Sequence, residues 1–264
     1  MTNQALCTSA RGVRAAGYPY IMSSEEPLWP QRTIIGFDTE TTGVNPLEDR
    51  LVTCSLVSVS ANGIDRRYWL ADPGVEIPEQ ASRVHGITTE EARSKGRPIT
   101  EVLSEISDVL VAHMQGGNPV VAFNAQFDFT LLEAELRRHD LATIAQRLGT
   151  WPHPVVDPYL LDRSVDRFRK GKRRLEDLCA FYKVDGGDFH NAEADVLATL
   201  RVLGALLRAH PTLARESLEQ VQSRAAQANA EMIDFFNRRD AANGRPVSPP
   251  PQHWPVADGA LILK

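Results

Sequence analysis

Asp38 and Glu40 stand two residues apart in Phe37-Asp38-Thr39-Glu40-Thr41-Thr42-Gly43, at the polar end of the apolar, β-branched run Thr33–Phe37. In a strand, side chains two apart share a face, so both carboxylates can point at one spot. Two anions placed together there repel each other and lose hydration, and a cation would relieve both. Solvated acids at a strand exit are the plainer explanation, and the D-x-E pair alone does not decide. A further carboxylate, Asp128, falls in the first turn of a helix that follows the buried run Pro119–Phe123. Complementing the helix dipole would account for an acid there, at about 0.3–1 kcal/mol. Phe127 and Phe129 flank it, however, which suits a cleft wall better than open surface. The third stretch is Phe189-His190-Asn191-Ala192-Glu193-Ala194-Asp195. Helical residues five apart diverge, because each turns by about 100°. His190 and Asp195 converge only if the histidine sits in the preceding loop and the aspartate inside the helix. Val196, Leu197, Leu200 and Leu203 give that helix an apolar side, and an acid beside it wants a partner.

Three separated stretches can meet only in a folded core, and the chain has the material for one. Its 264 residues suffice for one large domain, or a domain of about 180 residues with appendages. Apolar residues at 42% and charged residues at 24% are the proportions of a soluble globular chain that folds without staples. Cys7, Cys54 and Cys179 are far apart and form no C-x-x-C pair. They read as thiols of a reducing compartment, not as a disulfide frame or zinc site. No stretch approaches the roughly 18 apolar residues of a membrane span, and residues 1–22 lack an apolar secretory core. A cytoplasmic protein with no membrane partner is expected. The net charge of −5 argues against coating duplex nucleic acid through a broad basic face, but not against meeting nucleic acid in one cleft.

Periodicity supplies the positioning elements. Thr33–Asp38, Leu51–Ser60 and Asp65–Leu70 predict three strands, the last two joined through Asn62-Gly63. Thr88-Thr89-Glu90-Glu91 reads as a capping box, and Val102, Leu103, Ile106, Val109 and Leu110 fall at helical spacing. Pro119–Phe123 predicts a buried strand feeding a helix over Ala125–His139, and Val155-Val156 another strand. Helices are expected over Leu175–Tyr182, over Asn191–Ala209, and from His210-Pro211 to near Arg239. Residues 244–251 break the pattern, and residues 253–264 could add a short strand. The organisation expected is a loose segment over 1–30, in which Met22 is a candidate natural start, an α/β domain with a mixed sheet over 31–210, and a C-terminal long helix and tail over 211–264.

Phe37–Gly43 (FDTETTG), Arg83–Thr88 (RVHGIT), Ala122–Leu136 (AFNAQFDFTLLEAEL), Leu175–Cys179 (LEDLC) and His190–Thr199 (HNAEADVLAT) together resemble, in order and spacing, the DnaQ-like 3′→5′ exonucleases. This is the DEDD superfamily branch with a catalytic histidine, and the resemblance spans residues 33–208. It implies an RNase H-like fold, a central mixed β-sheet flanked by α-helices, here with a C-terminal helical extension. Carried over position by position, it makes Asp38, Glu40, Asp128 and Asp195 the metal-binding carboxylates and His190 the general base. Phosphodiester hydrolysis fits those roles. Two divalent ions about 3.5–4 Å apart can activate water and steady the leaving oxygen. Oxygen ligands suit Mg²⁺ or Mn²⁺ far better than Zn²⁺. Imidazole can accept the water's proton near neutral pH.

The resemblance also places the backbone of Thr41, Thr42 and Gly43 near the terminal nucleotide, where glycine would permit close approach. His85 falls where similar enzymes carry a loop beside the terminal base, with a structural role equally natural for it. Asn124 and Phe127 are further candidate substrate contacts. The run Arg163–Arg174 carries seven basic residues against Asp166. It is either a solvated loop or, through residues such as Arg169 and Lys172, a holder of phosphates. Asp157, near a family-matched position, reads as structural or as a support behind the metal ligands. The expected substrates are single-stranded DNA ends, with RNA 3′ ends next, and the family's proofreading members make a polymerase or repair complex a candidate partner. A catalytically silent binding module of the same fold is the main alternative. An aspartyl phosphatase using Asp38 is weaker, because position 40 is Glu where that chemistry wants a second Asp.

Overall fold

Alternation along Ile34–Thr41 (β1) sets the architecture. Ile35 and Phe37 enter the main core, whereas Ile34 and Gly36 face a second helical layer. In the computed structural model, which describes residues 28–187, 192–247 and 249–261, β1 is central to a mixed sheet. It pairs antiparallel with Leu51–Ser60 (β2), and β2 pairs antiparallel with Gly63–Asp72 (β3). Glu79–His85 (α1) and Thr89–Lys95 (α2) follow, α2 packing on β3, and Arg97–Pro98 (β4) runs parallel to β3. After Ile99–Gln115 (α3), Val120–Val121 (β5) pairs parallel with β1. Ala125–Arg138 (α4) and Ile144–Leu148 (α5) lead to Val155–Val156 (β6), parallel to β5. The strand order is therefore β4-β3-β2-β1-β5-β6, the mixed sheet with flanking helices that the motifs imply.

The helices α3 and α4 cover the Phe37 face and supply most of the main core, including Leu103, Ile106, Leu110, Phe129 and Leu132. Pro158–Val165 (α6), Leu175–Tyr182 (α7) and Ala192–Ala209 (α8) follow β6, and α8 lies across β1 and β2. The last helix, Leu218–Ala242 (α9), packs on α6 and β6. Its Gln222 carbonyl accepts the Val155 N–H at 2.8 Å, so a side chain occupies the edge that β6 would otherwise leave open.

Four features differ from the periodicity-based expectation, each for a local reason. The strand expected over Pro119–Phe123 shrinks to Val120–Val121, because Asn124 turns left-handed (φ 60°) to open α4. The C-terminal helix begins at Leu218, where Ser217 and Gln220 form a reciprocal capping box. Among the described residues of the tail there is an isolated His253–Val256 bridge and a 3-10 turn at Asp258–Leu261, not a strand. The Ala257 N–H goes instead to the Thr130 hydroxyl, and Trp254, Val256 and Ala260 sink into the main core. Finally, α1 and α5 are too short for apolar periodicity to announce them, and α6 is marked only by its Asp157-Pro158 cap.

Packing continues beyond residue 210. Ala225 and Ala228 of α9 and the residues around Trp254 belong to the same cluster as Phe37 and Phe129. Trp29, in the segment expected to be loose, is buried, and its indole N–H donates to the Leu213 carbonyl. Cys54 and Cys179 are buried free thiols. Among the described residues no helix is long and apolar enough to cross a membrane.

Candidate active site

The end of β1 and the start of α8 meet in an acidic cluster. One carboxylate oxygen each from Asp38, Glu40 and Asp195 lies within 4.8 Å of the others. Gly36 explains how α8 comes so near. A Cβ at that position would sit 2.4 Å from Val196 Cγ1 and 3.1 Å from Leu200 Cδ1, so only a bare backbone lets the helix settle on β1. Asp195 immediately precedes that contact. The β1–β2 register then slips, Glu40 lying opposite Thr53 but Thr41 opposite Leu51, and this irregularity ends regular pairing at the mouth of the cluster.

Thr39, between the two acids, points to the opposite face and reaches α4. Its N–H and its hydroxyl both donate to Asp128 Oδ1, at 3.1 and 2.7 Å. Asp128 thus borders the cluster from the α4 side without joining the three-carboxylate set. Its neighbour Phe129 is not a cleft wall, as its position beside the acid suggested. It is fully buried and packs edge-on against Phe37, with ring centroids 5.5 Å apart. Phe127 alone stays partly exposed.

Burial and mutual repulsion dominate the electrostatics. Desolvation lifts Asp38 well above the usual carboxylate range, with the charges of Asp128, Glu40 and Asp195 adding to it. Glu40 is pushed up to about 8 by burial, then by Asp195 and Asp128. Asp128 rises to about 7 through burial, restrained by the hydrogen bonds from Thr39. Oxygen donors that hold one another's protons in this way fit a hard divalent cation, which would neutralise several at once.

The approach to the cluster is shaped by bonds that the sequence hid. The Thr42 hydroxyl donates to Asp49 and accepts from the Arg50 N–H, which closes the loop after β1. A Cβ at Gly43 would stand 2.6 Å from the Asp49 carboxylate, so this glycine serves loop closure. Thr41 and Thr42 are buried. His85 Nδ1 accepts the Ile87 N–H, which leaves the ring proton on Nε2, buried next to the Thr41 backbone. Burial lowers the His85 pKa, partly offset by that backbone. The ring therefore packs between the end of α1 and the exit of β1.

Asp157 holds α4 in place. Its two oxygens accept the N–H groups of Asn124 and Ala125 at the head of α4, and of Tyr159 and Leu160 at the head of α6. One buried carboxylate so caps two helices. Asn124 itself is exposed, as a substrate contact would need to be. The basic run divides. Arg169 and Arg173 pair with the buried Asp162, which also accepts from the Tyr182 hydroxyl, and Arg169 stacks on Phe181 at 3.9 Å. Arg169 is thus an internal strut of the loop and not a free phosphate ligand, whereas Lys172 is exposed. The desolvated partner below is the reason. His190, expected as the base, lies outside the described residues.

Sequence reasoning missed Thr39, Asp49 and the packing role of Gly36. Only Gly36, a glycine within an apolar strand, carried a visible signal. The sheet order, the flanking helices and the acidic end of β1 define an RNase H-like nuclease fold.

The family model for exonucleases of the RNase T type matches residues 35–203. The chain belongs to that family and is a DnaQ-like 3′→5′ exonuclease. Among curated relatives it is 28% identical over 212 residues to the DNA polymerase III subunit epsilon of Treponema pallidum, covering 75% of this chain and 92% of that one. It is 28% identical over 187 residues to the PolC-type DNA polymerase III of Streptococcus thermophilus, covering 70% of this chain but 12% of that much longer one. Among solved structures, E. coli exonuclease I in complex with a dA16 oligonucleotide superposes with a TM-score of 0.59 at 20% identity, over 70% of this chain and 42% of that one.

Proposed function

We propose that this chain removes nucleoside monophosphates from the 3′ end of single-stranded DNA, with RNA ends as a lesser substrate, at a site holding two Mg²⁺ or Mn²⁺ ions. The observation that carries the reading is the convergence of Asp38, Glu40 and Asp195 to within 4.8 Å, with Asp128 alongside. Those four carboxylates would hold the ions. When bound, the ions supply Lewis acidity to the phosphate and neutralise charge on the departing 3′ oxygen.

The chain's own groups do the rest. His190, the family's histidine by resemblance, would be the base that accepts the attacking water's proton at a ring nitrogen. Asp157 fixes the head of α4 and so the placement of Asp128. The Thr41–Gly43 backbone, with His85 behind it, offers a rigid ledge for the terminal nucleotide. Asn124, Phe127 and Lys172 line the way in. The resemblance to the epsilon subunit supports a polymerase or repair-complex partner, and the exonuclease I structure bound to an oligonucleotide supports DNA over RNA.

Degradation of 5′-labelled single-stranded DNA and matched RNA tests this directly. It is run with and without Mg²⁺ or Mn²⁺, beside Asp38→Ala. A metal-dependent ladder shortening from the 3′ end, absent in the variant, is the expected result. No cleavage of either strand with either metal would sink the activity and leave a binding module.

A further inference from the structure

Two adjoining cavities lie between the Arg163–Arg174 loop and α9. One, of about 630 Å³, opens at Phe123 and Asn124, the head of α4. The other, of about 490 Å³, continues between Phe168 and Phe235. Arg163 and Met232 line both, so the two form a continuous track that starts at the head of α4, the helix that carries Asp128. Seven of the lining side chains are basic and one, Glu231, is acidic, on a chain whose net charge is −5.

The same walls carry rings in water. Phe168 is 89% exposed, Phe235 56% and Phe236 37%. Met232, Phe235 and Phe236 fall at i, i+3 and i+4 on one side of α9. A fold gains nothing by leaving three phenylalanines in one open place, so the cluster is a contact surface. Cations alternate with them. Arg163 lies 5.7 Å over the Tyr159 ring and Arg167 5.9 Å over Phe168. Arg167 and Arg238 are braced by Glu231 and Asp234 in exposed pairs, which are weak enough to exchange for another anion. Rings interleaved with cations match a single strand of nucleic acid, whose bases stack while its phosphates need neutralising. A duplex hides its base faces, and an apolar protein partner would leave the cations unmatched.

We propose that α9 and the Arg163–Arg174 loop are the track on which single-stranded DNA lies upstream of its 3′-terminal nucleotide. Phe236, Phe235 and Phe168 are its stacking platforms, and Arg163, Arg167 and Lys172 hold its phosphates. Its place upstream of a 3′ end rests on the nuclease reading above. The long helix is then a wall of the substrate site.

The test compares wild type with Phe235→Ala/Phe236→Ala and with Phe168→Ala, after thermal melts show that these exposed positions leave folding intact. Two quantities are read: kcat/KM for dodecathymidylate relative to dithymidylate, and dodecathymidylate affinity by anisotropy in EDTA. The double variant should lower the length ratio about tenfold, through KM, and weaken binding by a similar factor. Turnover of dithymidylate, which has a single nucleotide upstream of its 3′ end, should change less than about twofold. An unchanged ratio and unchanged affinity would overturn the track and reassign the rings to a protein contact. If wild type cleaves neither oligonucleotide, the nuclease reading fails, while the EDTA affinities still decide the track.

Discussion

Asp128 is held by Thr39 through two donors on one residue, the backbone N–H at 3.1 Å and the hydroxyl at 2.7 Å, both to Oδ1. Thr39 lies between Asp38 and Glu40, so strand alternation turns it to the α4 face while its neighbours turn to α8. A single tripeptide therefore presents two acids directly and orients a third from behind.

Thr39→Val keeps the N–H and removes the hydroxyl. Hydrogen bonds to charged groups are worth about 1.5–3 kcal/mol, so Asp128 should become harder to ionise. The Mg²⁺ concentration for half-maximal activity should rise about 10–100-fold, the usual cost of losing a partner that orients a ligand. Thr39→Ser, which keeps the hydroxyl, should stay near wild type. Equal behaviour of Val and Ser in a metal titration would show that the hydroxyl does not matter.

Asp157 accepts four N–H groups from two helix heads and is completely buried. Asp157→Ala strands all four donors. Each lost cap costs about 0.5–2 kcal/mol, so the pair should cost about 1–4 kcal/mol in urea unfolding. Asp157→Asn retains one acceptor oxygen and should fall between. A loss well under 1 kcal/mol for the alanine variant would mean that water replaces the carboxylate.

Much of this was legible and some was not, for reasons that differ by residue. Strand alternation puts Asp38 and Glu40 on one face, the family resemblance adds Asp195, and the structure brings those three together. The β2 bounds and the α7 bounds also follow from apolar pattern alone. Asp157 reads from sequence as structural or as a support behind the ligands, but its four donors come from residues 124, 125, 159 and 160, and no local rule joins those segments. Arg169 lies in a charge run that looks uniform in sequence. Only the fold reveals that Asp162 sits beneath it, with no exposed surface. The Thr39–Asp128 bond spans 89 positions and leaves no periodic trace.

The acidic cluster should make the metal-free protein pH-sensitive in an unusual direction. An ordinary glutamate titrates near 4.3 in an unfolded chain, whereas Glu40 is pushed up to about 8 by burial and by Asp195. Between those values the folded form binds more protons than the unfolded form. Its stability should therefore fall as pH rises from about 4 to about 8, while below that window both forms are protonated and the penalty vanishes. A divalent cation favours the ionised carboxylates and should offset the loss. Melting in EDTA should drop between pH 5 and pH 8, Mg²⁺ should raise Tm more at pH 8 than at pH 5, and Glu40→Gln should flatten the EDTA slope. The same slope in wild type and Glu40→Gln would place the sensitivity elsewhere.

Gly36 offers the sharpest test of how the fold makes the site. A methyl group there would stand 2.4 Å from Val196 Cγ1, far inside van der Waals contact. The two residues sit on elements that carry two halves of the cluster, β1 with Asp38 and Glu40, and α8 with Asp195. Gly36→Ala must therefore push α8 outward or twist Val196 off its rotamer, at about 1–3 kcal/mol of stability. If the helix moves, Asp195 leaves the other carboxylates, and displacements near 1 Å cost about 100-fold in rate. Activity should then fall much further than stability. Adding Val196→Ala removes the clashing methyl and should restore most of the rate, although Leu200 Cδ1 at 3.1 Å keeps recovery incomplete. A Gly36→Ala enzyme with wild-type kcat would mean that β1 and α8 can separate without disturbing the carboxylates. No recovery in the double variant would mean that the cost lies in the β1 backbone itself.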